Sequence, residues 1–328
     1  MADERGQLDL ARSRARREAR RRQIQRRRRT ALGGLVTVAV IAAVGGVALS
    51  GGASSPGGAS GATRAKHPKA AAKTTAAAKP AAAAPCPGPY RRERAPILEY
   101  HVIAPAPAGA PFPLLYVSPS LFAAQMHAIA AAGYHAVTLD QLWANWHEHK
   151  KLPCGKPIVI SFDNGYETQF QYAEPVLAKL GWVGVENLQL TGLDWANGGI
   201  SHHEIRELIR DGWELDTQGY DHSDMVTESA SGLVFQTLDT RRRIQRLFHV
   251  PVNWFCYPSG QYDPTVIAEL ARAGFRGSTT EYYGWAGAND NPFALPRLEV
   301  HPTLDGPELV QQVAAMRDDP PPGDQYIS

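Results

Sequence analysis

A chain of 328 residues with 44% hydrophobic content has enough material for a full core, which excludes a small scaffold held together by disulfides or a metal. The net charge of +2 conceals an uneven distribution: residues 1–30 carry twelve arginines against four acids, residues 31–85 add five cations and no acid, and residues 86–328 sum to −11. A basic partner-binding surface is therefore not expected on the globular part, whereas an acidic cleft for a neutral or cationic ligand is compatible with it.

Eleven arginines crowd residues 12–29, and residues 31–50 follow as an uncharged apolar run about long enough to span a bilayer core. The arginine block places the amino terminus in the cytoplasm and the remainder outside it, as a single-pass cell-membrane protein. An uncleaved signal anchor is expected, with cleavage after Ala48-Leu49-Ser50 as the alternative. An arginine run is also a nucleic-acid footprint, but its position directly before a span favours topology and anionic lipid, and no nucleic-acid partner is expected. Residues 51–85 are Gly/Ser-rich and then Ala/Lys/Pro-rich, a composition that buries almost nothing and reads as a disordered linker. The folded domain is expected over 86–318 and a frayed Pro/Asp-rich tail over 319–328.

Inside the domain, strands are expected at Ile97–Val102, His135–Leu139, Pro157–Phe162, Val183–Leu190, Trp213–Thr217, Val252–Tyr257, Phe275–Thr279 and Pro296–Val300. Helices are expected between them: one capped by Ser118 and closed by Gly133, then Asp140–His149, Glu167–Leu180, Ser201–Arg210, Leu233–Phe248, Asp263–Ala273 and Gly306–Met316. Strand followed by helix with short loops predicts an α/β fold built as a distorted, incomplete parallel (β/α) barrel, because fewer than eight clear units appear. The three cysteines form no CxxC and no Cys/His cluster, which argues against a zinc ribbon or a thioredoxin-like site. Cys86 and Cys154, in polar loops flanked by Pro and Gly, are the favoured disulfide pair, with three free thiols as the alternative; Cys256, inside an apolar strand, reads as a buried thiol.

Barrels of this kind present chemistry at the carboxyl ends of their strands. Collecting polar residues there gives Asp163 and Asn164, Gln218 with His222 four residues on, Pro258-Ser259-Gly260 after Tyr257, and Arg297 with His301. Simpler roles exist for several of them: Asp163 as a buried acid capping the next turn, His222 as a core histidine bonded to backbone. His202 and His203, adjacent on a helix, point apart and read as surface. Trp213 and Trp254 read as core; Trp195 and Trp285, in loops beside Gly and Asn, are candidates for sugar stacking.

These motifs, in this order, resemble the polysaccharide deacetylases of the NodB-homology type, over about 95–316. Asp163-Asn164-Gly165 after Ile-Ser-Phe stands where that family has Asp-Asp-Gly, Gln218 to His222 where it has a His-x-x-x-His pair, and Phe255-Cys256-Tyr257-Pro258-Ser259-Gly260 matches its third motif, which often carries Arg at the Cys256 position. Leu295-Pro296-Arg297-Leu298 resembles the late strand of one branch. The resemblance implies a hydrolase of carbon–nitrogen bonds that removes acetate from N-acetylated polysaccharide or peptidoglycan. It implies Asp163 as general base, His301 as a candidate for the acid histidine, and a divalent metal, commonly zinc, on the positions of Asn164, Gln218 and His222. Tyr257, Pro258, Ser259, Gly260 and Arg297 would face substrate, with the backbone near Ser259 stabilising the oxyanion. The chain departs from that pattern in two of three metal ligands, since Asn164 and Gln218 are neutral amides. Three readings stay open: a deacetylase with altered ligands, a binding protein that kept the glycan cleft and lost hydrolysis, and a hydrolase acting through Asp163 without metal.

Overall fold

A computed structural model describes residues 84–192 and 198–318. The segments expected as cytoplasmic (1–30) and membrane-spanning (31–50), almost all of the linker, the tail 319–328 and Trp195 lie outside the described residues. Among the described residues no helix is long and apolar enough to cross a membrane.

The run that opens the domain's chemistry, β3 (Lys156–Asn164), is the central strand. It pairs in parallel with β1 (Ala95–Tyr100) on one side and β4 (Val185–Leu188) on the other. Next come β5 (Glu214–Thr217), β6 (Trp254–Cys256) and β7 (Gly277–Thr279), all parallel. The nine-stranded sheet is completed by β2 (Tyr134–Ala136) on the first residues of β3, β9 (Leu298–Glu299) on the last of β1, and β8 (Trp285–Ala286), which is antiparallel to β1. A parallel bridge between Thr279 and Leu295 joins β7 to the segment leading into β9, so the sheet curls round as an α/β barrel-like fold.

Alternation along the strands divides the core in two. Ile97, Val159, Val185 and Trp254 on one face form a cluster with Leu142 and Trp146 of α2 (Leu139–Glu148). Leu98, Tyr100, Ile160, Phe162, Leu188, Leu215 and Phe255, on the other face, join the larger cluster made with the outer helices. Each such buried side chain stabilises the fold by about 1.5–3 kcal/mol, and a slip of one residue in β3 would exchange the two faces. The outer helices are α1 (Pro119–Ala131), α3 (Glu174–Lys179), α4 (His202–Arg210), α5 (Ala230–Val234), α6 (Thr240–Phe248), α7 (Pro264–Arg272) and α8 (Gly306–Ala315). The caps read from the sequence are in place, with the Ser118 hydroxyl accepting from the Leu121 amide and Ser201 forming a capping box with Glu204.

Four local expectations are corrected. The second strand stops at Ala136 because Thr138 caps a helix beginning at Leu139, its hydroxyl accepting from the Gln141 amide at 3.2 Å. The helices expected at 167–180 and 233–248 each contain a π turn, Gln169–Ala173 and Phe235–Asp239, and the second begins early, at Ala230, on a Ser229 cap. The last expected strands shrink to three and two residues. Trp285, expected in a loop, is instead in β8, 6% exposed, and donates its indole N–H to the Val313 carbonyl at 2.8 Å; it is not available for sugar stacking. Trp213 and Trp254 are core as expected, and His203 is 81% exposed.

An amino-terminal strap ties down the end of the barrel opposite the site. Cys86 is disulfide-bonded to Cys154 and its amide donates to the Leu152 carbonyl. Asn145, buried in α2, donates to the carbonyls of Arg91 and Lys150 and accepts from the Glu93 amide, while the Trp146 indole donates to the Glu93 carbonyl at 2.7 Å.

Candidate functional site

The same alternation that buries Val159 at the start of β3 places Asp163 on the same face at its carboxyl end. Strand register then sets its neighbours: Asp163 lies opposite Asn187 of β4, and Ser161 opposite Glu99 of β1. Beyond Asp163 the chain leaves the sheet through two left-handed residues, Asn164 (φ 75) and Gly165 (φ 83). Asparagine tolerates this region better than most side chains, and a Cβ on Gly165 would stand 2.7 Å from Leu188 Cδ1, so only glycine fits there.

Asp163 is fully buried and its carboxylate is surrounded by donors. Arg297 Nη1 donates to Oδ1 at 2.9 Å and to Oδ2 at 3.0 Å, Asn187 Nδ2 to Oδ1 at 2.9 Å, Cys256 Sγ to Oδ2 at 3.3 Å, and Gln218 Nε2 to Oδ2 at 3.4 Å. Burial pushes its pKa up, but Arg297, assisted by His101 and Asn187, outweighs burial and holds it below the usual carboxylate value. Arg297 Nη2 also stands 3.1 Å from Glu99 Oε2. One guanidinium cannot balance two buried carboxylates. Desolvation, only partly offset by Arg297, raises Glu99 well above the ordinary range, so Asp163 keeps the charge and Glu99 holds the proton. The third-motif position where the resemblance expects arginine is Cys256, a free buried thiol raised by burial; the guanidinium arrives from the strand at the other side of the barrel.

Asn164 and Gln218, the two amides at expected metal positions, are bonded directly to each other: Asn164 Nδ2 donates to Gln218 Oε1 at 2.9 Å and to Gln189 Oε1 at 3.3 Å. Gln189 in turn donates to the Thr191 hydroxyl. His222, also left-handed (φ 60), lies close enough to His101 to act on it electrostatically. His301 is 23% exposed, 3.3 Å from Glu299, and follows Val300, whose amide donates to the Glu99 carbonyl. Tyr257 is buried, stacked on Tyr262, and donates its hydroxyl to the Phe293 carbonyl; Pro258 and Gly260 are buried too, leaving the left-handed Ser259 (φ 54) as the half-buried member of that turn.

Glu99 and His101 are absent from the residues singled out in the sequence. With Asp163 they form a group whose ligand atoms lie within 4.8 Å of one another and which could hold a metal ion. Their signal was present: in Leu98-Glu99-Tyr100-His101 the polar residues alternate with apolar ones and share the face of Asp163. Gln169, in the first π turn, was also missed. Its Nε2 donates to the carbonyls of His101 and Asp163, both at 2.9 Å, and its Oε1 accepts from the Tyr166 amide, tying β1 to β3 above the site.

A family model described as polysaccharide deacetylase matches residues 150–278. YxkH of Bacillus subtilis (strain 168), named as a polysaccharide deacetylase, is 25% identical over 228 residues, 68% of this chain and 77% of its own. The Streptococcus pyogenes deacetylase PplD, solved in complex with acetate, superposes with a TM-score of 0.63 at 21% identity over 68% of this chain and 99% of that one. IcaB from Ammonifex degensii gives a TM-score of 0.56 at 21% identity over 67% and 97%.

Proposed function

The chain belongs to the polysaccharide deacetylase family of the NodB-homology type, and from that premise we propose that it is a membrane-anchored, extracytoplasmic protein that binds N-acetylated cell-envelope glycan without hydrolysing it by the family's metal chemistry. The observation that carries this reading is the direct Asn164–Gln218 hydrogen bond. Two of the three positions that would hold the metal are neutral amides joined to each other, and His222 alone offers a donor suited to zinc. The second group, Glu99, His101 and Asp163, is gathered round a guanidinium that already neutralises Asp163. A divalent cation there would face Arg297 at close range and a protonated Glu99. Neither donor set fits a catalytic metal, and Asp163, saturated by four side chains, is a weak base.

What the residues can do is bind. Asn164 and His222, both partly exposed, stand at the strand ends with Ser259, and a carboxamide, an imidazole and a hydroxyl suit sugar hydroxyls and an acetamide group, while buried Gln218 holds Asn164 in place. The arginine block before an apolar run supports the anchor, and the Cys86–Cys154 disulfide supports a compartment outside the reducing cytoplasm. One observation favours the alternative, an amide hydrolase releasing acetate from N-acetylhexosamine units: the Glu99–His101–Asp163 group has the proximity a zinc site needs.

The test is metal content of the full-length chain after zinc loading and dialysis, with acetate release and calorimetric binding measured on N-acetylglucosamine oligomers. Binding without stoichiometric zinc or acetate is expected. Stoichiometric zinc with acetate release would overturn the reading in favour of the hydrolase. The combined variant Asn164→Asp, Gln218→His restores an anionic ligand and a second imidazole and is expected to raise zinc affinity by orders of magnitude.

A further inference from the structure

We infer that the groove beside the His222 loop binds a carboxylate-bearing sugar unit of the same glycan, an inference that rests on the glycan-binding reading above. The groove, about 220 Å³, is lined by Tyr220, Phe235, Asp239, Thr240, Arg243 and Arg246. It is smaller than the ~300–1,000 Å³ of drug-sized ligand sites, so it takes one sugar unit rather than several. Tyr220 lies in the loop between Gln218 and His222, so the groove shares that loop with the candidate site.

Its lining combines two chemistries. Phe235 is 43% exposed and its ring meets Tyr220 at 4.6 Å between centroids, offering an aromatic surface to the apolar face of a sugar ring. Arg243 and Arg246, both exposed, sit one turn apart on α6, and the Arg243 guanidinium lies 5.9 Å from the Tyr220 ring centre. That cation–π contact holds the arginine ready and lowers the entropy lost when it meets an anion. Among the described residues neither arginine is engaged in a side-chain ion pair. The π turn Phe235–Asp239 shapes the groove's rim, and its second residue, Gln236, fastens it to the site loop by accepting from the Tyr220 amide at 2.7 Å and donating to Asp221 and Ser223.

The sequence predicts no basic surface on residues 86–328, whose net charge is −11, and this arginine pair is a local exception to that expectation. Guanidinium forks match carboxylates in geometry. Asp239 in the same groove repels a phosphate, with its higher charge, more than it repels a carboxylate, and this selects the latter.

Calorimetry on the full-length chain tests the inference with three ligands of equal length: an N-acetylglucosamine oligomer, an oligomer whose alternate units carry a 3-O-lactyl carboxylate, and the methyl ester of that acid. Two partly exposed pairs predict the acid to bind about five- to tenfold more tightly than its ester. Raising salt from ~50 mM to ~500 mM should erase most of that preference in the unaltered protein. Arg243→Ala combined with Arg246→Ala should abolish it, with each protein's affinity for the neutral oligomer as its own reference. Equal binding of acid and ester, a preference insensitive to salt, or one retained by a folded double variant would overturn the groove's role while neutral-oligomer binding upholds the broader reading. If no oligomer binds, the glycan-binding reading fails and takes this inference with it.

Discussion

Arg297 is 1% exposed and holds two carboxyls that differ in protonation, so its removal leaves the charge on Asp163 buried and unbalanced. Arg297→Met is expected to destabilise the domain by about 3–5 kcal/mol, read as a lower urea midpoint. Adding Asp163→Asn should recover a large part of that loss, because the pair is coupled; a double variant no more stable than Arg297→Met would mean that packing, not charge, is what the arginine supplies. Asp163, Asn164 and Gln218 were legible in the sequence because each ends or follows an apolar run and sits in a spaced motif. Glu99 and His101 were not, since a single Glu-x-His at the end of a strand gains meaning only when β1 is known to lie beside β3. Arg297 was singled out, but as a substrate contact; its role as the counter-ion of Asp163 was not legible, because that partner is 134 residues away. Tyr257 illustrates the converse: the motif suggested a substrate contact, whereas its hydroxyl is committed to Phe293.

At the level of elements, the helices flanking the site were legible as helices and their π turns were not. Apolar spacing fixes which face of a segment is buried, but one inserted residue shifts that face too little to register over two turns. The insertions matter because they aim Gln169 and Gln236 at strand-end loops. Gln236→Leu leaves the Tyr220 amide, Asp221 and Ser223 without their shared partner and should loosen residues 219–223, with faster amide exchange there and unchanged protection in β3. Equal acceleration in β3 would instead mean a global loss of stability. The strap was legible through its cysteines. The loop of 68 residues closed by Cys86–Cys154 predicts about 4 kcal/mol of stabilisation, lost in Cys86→Ser with Cys154→Ser and measurable in urea.

Across the whole molecule, the barrel is organised round buried acids from one end to the other, and this sets its response to pH. At the amino ends of the strands, Glu214 and Asp216 of β5 lie near Asp140 of α2, which Asn253, Trp254 and Arg276 also bind. Burial pushes Asp216 up to about 7 and raises Glu214 well above the usual value, as it does Glu186 and Glu99. In the unfolded chain these groups titrate near ~4. The folded state therefore holds protons that the unfolded state releases, so their stabilisation is complete below pH ~4 and is lost as pH rises towards 7. Asp163 acts oppositely: its folded value lies below the unfolded one, so its contribution is present above pH ~4 and disappears on further acidification. His101, lowered by burial, also favours higher pH in a window below ~6.5. Among the fully buried groups, four raised carboxyls against one lowered acid and one lowered imidazole predict a urea midpoint that falls between pH 5 and pH 8. Asp216→Asn keeps an oxygen for the Asn253 and Trp254 amides and removes the titration, so it should flatten the decline while leaving stability at pH 5 nearly unchanged. A midpoint that rises over this range, or a decline untouched by Asp216→Asn, would show that the interior acids are solvated in the folded state.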